Sequence, residues 1–148
     1  MNTEIASRNF VVDASQERVW RLVGKVILSS LPGMEEMEIL DENNFKAMLK
    51  VKVSFLELRM KLRGEIVEME APDALGVKLT VEAPGGLFTM IQKVSVDISS
   101  IEQGRAAISC KTVAENMGIF FRVLFLKHAR RFAQSTFEAI EKRLQDLV

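Results

Sequence analysis

The sequence predicts an α+β domain in which a strongly curved antiparallel sheet folds round one long C-terminal helix. Three observations predict it. From Met34 to Ala114 apolar residues recur at every second position, the pattern of strands with one buried and one wet face. Turn signals interrupt that run at short, regular intervals with no helical stretch between them, which excludes parallel βαβ crossovers. After Gly118 the period becomes helical and holds for the last ~30 residues. A helix of that length is ~45 Å long at 1.5 Å per residue, too long for a flat sheet of ordinary strands but suited to a sheet that wraps it.

Ile5 to Val12 reads as a first strand with Phe10 and Val12 on one face. Ser15 can cap a helix that carries Val19, Trp20, Leu22 and Val23, with Trp20 as its anchor on the sheet. Gly24 breaks that helix, Val26 to Leu31 form a second short one, and Pro32-Gly33 ends it. Met37 and Ile39 then face inward. Beyond the turn Asp41-Glu42-Asn43-Asn44 so do Phe45, Ala47, Leu49, Val51, Val53 and Phe55, with Lys46, Lys50 and Lys52 opposite. Leu58, Met60 and Leu62 continue the alternation, and Gly64 marks a phase slip of the kind that accompanies a bulge or sharp bend. Leu75 to Ala83, Phe88 to Ile98 and Ala106 to Ala114 are the remaining strands, separated by Pro84-Gly85-Gly86 and Glu102-Gln103-Gly104. On the helix Phe121, Phe125, Ala129, Phe132, Ala133, Thr136, Ile140, Leu144 and Leu147 share one stripe.

Composition narrows the function. Residues 1–148 make one domain, 48% hydrophobic and 27% charged, long enough to need no metal or disulfide for its core. Twenty basic and twenty acidic residues cancel, so no global basic field draws nucleic acid, and no nucleic-acid partner is expected. One cysteine, Cys110, cannot form an internal disulfide. Met1 to Arg8 is polar and lacks the apolar region of a signal peptide, and no apolar run approaches the ~20 residues that span a bilayer. A cytoplasmic location is expected, with the inner face of the membrane as a place of peripheral contact.

The order of strand, two short helices, six strands and long helix resembles the START-like, or SRPBCC helix-grip, superfamily. Within it the chain resembles the CoxG proteins of carbon monoxide dehydrogenase systems and their relatives. The resemblance rests on Phe10-x-Val12 followed by Ala14-Ser15-x-Glu17-x-Val19-Trp20, then Leu31-Pro32-Gly33-Met34-Glu35, Lys50-Val51-Lys52-Val53 and Leu62-x-Gly64. It departs where Ser54 replaces a usual glycine and where Gln103-Gly104-Arg105 replaces a Gly-Gly-Thr turn. It implies a helix-grip fold with an apolar pocket between sheet and helix. It also implies an accessory, membrane-recruiting role beside a molybdenum-containing dehydrogenase. Related folds include cyclases and aromatases.

The inventory for catalysis is small. His128 is the single histidine, tyrosine is absent, and neither metal-ligand spacing nor a nucleophile motif occurs, so no catalytic residue, metal or cofactor is assigned. The expected function is binding of a hydrophobic small molecule, lipid-like or quinone-like. The residues expected to line the pocket are Met60, Leu62, Leu79, Met90, Gln92, Cys110, Thr112, Phe121, Phe125 and His128. Met60 and Met90 suit varied apolar shapes or simply fill the core. Gln92 and Thr112, on mostly apolar faces, need hydrogen-bond partners from the protein, water or a ligand. His128 orients a ligand or bonds a helix neighbour, and Cys110 reads as a small buried apolar residue.

Phe120 to Leu126 is apolar nearly all round and bordered by Arg122, Lys127, Arg130 and Arg131. One inward stripe does not hide all of it. The short helices with Leu28 and Leu31, a second copy of the chain, a partner protein or a membrane surface would each cover the rest.

Overall fold

The computed structural model describes residues 2–31, 33–53, 55–115 and 117–148; the side chains of Val53, Phe120 and Phe121 also lie outside the description. The expected roles of Pro32, Val53, Phe120 and Phe121 therefore fall outside the described parts. Seven strands form one antiparallel sheet in the order β1-β7-β6-β5-β4-β3-β2. They are β1 (Asn2–Val12), β2 (Met34–Asp41), β3 (Asn44–Val53), β4 (Leu56–Glu70), β5 (Ala74–Glu82), β6 (Thr89–Glu102) and β7 (Arg105–Glu115). Two helices complete the chain, α1 (Gln16–Ser30) and the 29-residue α2 (Ile119–Leu147). This is the expected curved sheet with a long C-terminal helix. The phase switch from period two to period 3.6 is what dictates it.

One expectation is corrected. The two short helices predicted on either side of Gly24 are a single helix of 15 residues. A glycine inside a helix costs only ~1 kcal/mol relative to alanine, and burial of Val19, Val23 and Val26 on one face outweighs that. Ser15 caps this helix as expected, its Oγ accepting from the Arg18 backbone N–H at 3.2 Å. Trp20 is half-buried and packs against the core. The Gln16 amide donates to Asp73 Oδ1 (2.7 Å) and to the Ile98 carbonyl (2.8 Å), holding the start of α1 on the sheet.

The bulge inferred near Gly64 lies further along, between Ile66 and Glu68. Gly64 continues the inward phase, and its hydrogen is all that fits there, because a Cβ would run into the Phe45 ring from the neighbouring strand. Met37 and Ile39, expected to face inward, are exposed, because β2 is an edge strand whose register shifts between Glu35 and Glu38. Phe55, expected to continue the inward alternation of β3, stands at the β3–β4 tip and is 92% exposed.

Two apolar clusters form the interior. The first joins β1, α1, β6 and β7 to the C-terminal half of α2, through Ile108, Val96, Phe137, Ile140 and Leu144. The second lies between β3, β4 and β5, through Phe45, Leu49, Met60, Leu62, Leu79 and Val81. Ile140 is fully buried as expected, whereas Phe125 and Phe132 are half-buried. Phe137, which the stripe omitted, is 2% exposed and among the largest buried side chains, whereas Leu147 at the last turn is exposed.

Candidate functional site

Between the two clusters the packing leaves a cavity of ≈ 210 Å³, partly open to solvent. Apolar cavities of roughly 150 Å³ stay dry and admit benzene-sized molecules, so this space is large enough to matter. Its floor is buried and closed, formed by Leu75, Phe137 and Ile140. Towards the opening the lining becomes half-buried, with Leu28 and Leu31 from α1, Val51 from β3 and Phe125 from α2. Phe88, just before β6, meets Phe125 there with ring centroids 4.8 Å apart. Alternation aims Met60, Leu79 and Met90 into the space from three successive strands.

Of the expected site residues, Met60, Leu79, Met90, Gln92, Thr112, Phe125 and His128 line the cavity. Leu62 and Cys110 are buried in the clusters and are not among its lining side chains. Phe121 lies outside the described side chains. The pattern missed Phe45, Leu49 and Val81 of the sheet, and Ile27, Leu28 and Leu31 of α1. Their alternating or helical spacing marks them as inward, but spacing alone does not distinguish a cavity wall from a filled core. Phe137 was legible, lying four residues after Ala133 and three before Ile140.

Four polar side chains line the space: Gln92, Thr112, His128 and Thr136. Thr136 is satisfied within the helix, its hydroxyl donating to the Phe132 carbonyl at 2.9 Å. The Thr112 hydroxyl donates to Gln92 Oε1 at 3.2 Å. That bond occupies the oxygen of the amide and leaves the Gln92 NH2 group without a protein partner among the described residues. His128 likewise has no hydrogen-bond partner among the described residues, and it is half-buried at the wall. No carboxylate, lysine or arginine lines the cavity, so His128 is its sole titratable side chain among the described residues. An apolar chamber with two spare hydrogen-bonding groups can hold and orient a neutral molecule. Among the described residues it offers no acid–base pair.

The Cys110 thiol is no nucleophile. Desolvation, with the charges of Asp97 and Glu141 adding to it, pushes its pKa up to about 12. Among the described residues no cluster of three or more potential ligands could hold a metal ion. No helix of the described residues is long and apolar enough to cross a membrane.

A family profile described as carbon monoxide dehydrogenase CoxG matches residues 9–145. No curated protein matches the chain. Among solved structures, a conserved protein from Geobacillus kaustophilus is similar over 99% of this chain and 96% of its own, with a TM-score of 0.76 and 15% identity. A START superfamily protein from Mycobacterium smegmatis is similar over 99% and 100%, with a TM-score of 0.63 and 12% identity. The Zhui aromatase/cyclase from a Streptomyces species covers 99% and 90%, with a TM-score of 0.53 and 15% identity. At these identities the likenesses show the fold, which is START-like.

Proposed function

The chain belongs to the carbon monoxide dehydrogenase CoxG family, and from that premise we propose that it holds a hydrophobic small molecule, lipid-like or quinone-like, between sheet and C-terminal helix without transforming it. The observation that carries this reading is a cavity of ≈ 210 Å³ whose lining is apolar except for a few uncharged or weakly basic groups. At roughly 24 cal/mol per Å³, leaving such a space unfilled forgoes on the order of several kcal/mol of packing. A bound molecule restores those contacts. The lining also selects. With no cation inside, a carboxylate or phosphate would lose its hydration uncompensated, so the occupant is neutral where it is buried. The free Gln92 NH2 donates, so the occupant brings an acceptor oxygen of carbonyl, ester or ether type, with His128 as the second polar contact.

The test is mass spectrometry of an organic extract of the native protein, followed by displacement of an environment-sensitive dye by whatever is extracted. Met90→Trp, which fills the chamber, should weaken dye binding tenfold or more. Gln92→Leu should weaken the extracted ligand by roughly tenfold, the value of one hydrogen bond from a buried group, while leaving a purely apolar dye unaffected. A folded protein that ignores the dye and yields no apolar molecule would overturn the reading.

Family membership favours a second reading, an accessory role beside a molybdenum-containing dehydrogenase, whose genes should then neighbour this one. A cyclase role has less support, since it would rest on His128 alone.

A further inference from the structure

We propose that the end of the sheet carrying the β3–β4 turn and the first turns of α2 is a docking surface for an anionic lipid bilayer. This goes beyond ligand binding and does not depend on it.

The β3–β4 hairpin outgrows its neighbours. On one side β2 pairs with β3 only as far as Met34 opposite Leu49, with one more bond from Lys50 N–H to the Gly33 carbonyl. On the other side β5 pairs with β4 only as far as Glu82 opposite Lys61. Beyond those points Val51 to Arg59 pair with each other alone, with the Pro84–Gly86 turn leaning on β4. At ~3.3 Å per residue the tip projects roughly 15–20 Å past its last flanking pairs. A two-stranded ribbon is marginal in water, so a long one invites a reason. Its tip is Phe55, 92% exposed, followed by exposed Leu56. Neither side chain contributes to the fold.

Strand direction places a second apolar element at the same end. β3 and β7 both finish there, and α2 starts three residues after β7. Its first turns expose Ile119 (80%) and Val123 (75%), with Leu124 half out, while Leu126 turns inward onto the first cluster. Exposed Leu87, in the β5–β6 loop, belongs to this end too. The half-buried residues at the cavity opening, Val51, Phe88 and Phe125, lie among these elements.

Charge identifies the occupant. Between Met117 and Phe137 the neutral chain carries four cations, Arg122, Lys127, Arg130 and Arg131, and no carboxylate. Among the described residues none of the four is in an ion pair, and Arg122 reaches only the Thr3 hydroxyl, at 2.8 Å. The helix N-terminus adds positive potential, yet its first turn has neither an acidic residue nor a side-chain cap. Cations at an uncapped helix start conflict with helix electrostatics and make sense beside an anionic surface. Arg122 and Lys127 lie roughly 5 and 12 Å along the axis from Ile119, within or near a Debye length of headgroups that Ile119 would reach. A second copy docked through the same face would oppose four cations with four, so a symmetric dimer is disfavoured. Projecting apolar points backed by cations suit a bilayer, which offers headgroup phosphates and, just below, hydrocarbon.

Flotation of the full chain with vesicles tests this. It should bind vesicles containing phosphatidylglycerol at low salt, bind purely zwitterionic vesicles at least tenfold more weakly, and release as salt rises. Phe55→Ser and Val123→Ser should each weaken binding about tenfold or more, consistent with loss of a buried apolar side chain. Because both side chains are exposed, neither substitution should move the unfolding midpoint or dye binding in free solution, so failure of docking stays separable from failure of the cavity. No binding to anionic vesicles at low salt, binding indifferent to both substitutions, or concentration-dependent dimers abolished by Phe55→Ser would each overturn the proposal.

Discussion

The two halves of α2 do opposite things with the same backbone. Its C-terminal half is sealed: Phe137, Ile140 and Leu144 are buried among β1, β6 and β7. Arg8 of β1 clamps that half, donating from Nε to Glu141 Oε1 at 2.8 Å with Glu138 nearby, and Arg18 of α1 donates to the Leu147 carbonyl at 3.0 Å. The N-terminal half is unsealed. Phe125, His128 and Phe132 stand half-buried at a cavity wall, Ile119 and Val123 point outward, and four cations go unpaired among the described residues. One half anchors the fold and the other leaves room to act. A long helix can therefore divide stability from binding along its own axis.

Truncation at matched positions should show this division most strongly. Ile140→Ala should cost ~3–4 kcal/mol in denaturant unfolding, since its neighbours cannot collapse into the space. Phe132→Ala should cost no more than ~2 kcal/mol despite removing a larger side chain, because open volume already adjoins it, and should instead alter dye binding. Equal stability losses at the two positions would erase the distinction.

A second measurement probes the sheet opposite the open half. Gly64→Ala forces a Cβ against the Phe45 ring and should destabilise by ~1–3 kcal/mol. Adding Phe45→Leu should recover much of that loss, whereas additive losses would show that the contact does not limit packing there.

The smallest effect belongs to the sealed half. Below pH 9 the Cys110 thiol is neutral in both states and contributes nothing to pH dependence. Above it the unfolded thiol releases its proton while the buried one holds on to about pH 12, so stability should decline as pH rises through that window. At pH 8 an aromatic disulfide should modify Cys110 only at the rate of unfolding. Prompt modification of the folded protein would place the cysteine nearer the opening than it lies.

Much of this was legible in residue spacing. Period two from Phe45 to Ala114 marks the inward faces, and the switch after Gly118 marks α2 within a residue. What spacing missed has physical causes. Gly24 looks like a break because local propensity penalises it, yet burial of three valines carries one helix through. Phe55 obeys the alternation but lies where the chain reverses, and parity has no knowledge of strand length. Met37 and Ile39 obey it too, but an edge strand has nothing packed over it. The cavity is the deeper case. Seven of ten expected site residues reach it because inward residues on central strands are common to core and pocket. How full the space between sheet and helix is depends on the curvature of one and the placement of the other, and a one-dimensional pattern encodes neither.

The exposed strand β2 has a consequence for the life of the protein in a crowded solution. β1 and β2 are the sheet's two borders; α2 packs along β1, whereas β2 is bare. A bare border ordinarily recruits copies of itself, strand upon strand, toward fibrils. Here four of its eight residues are acidic, Glu35, Glu36, Glu38 and Asp41, and the backbone kinks at Glu36, whose φ is 51°. An incoming duplicate would meet like charge and a ladder interrupted at that kink. The same eight residues that do little for the core thus guard the chain against polymerisation.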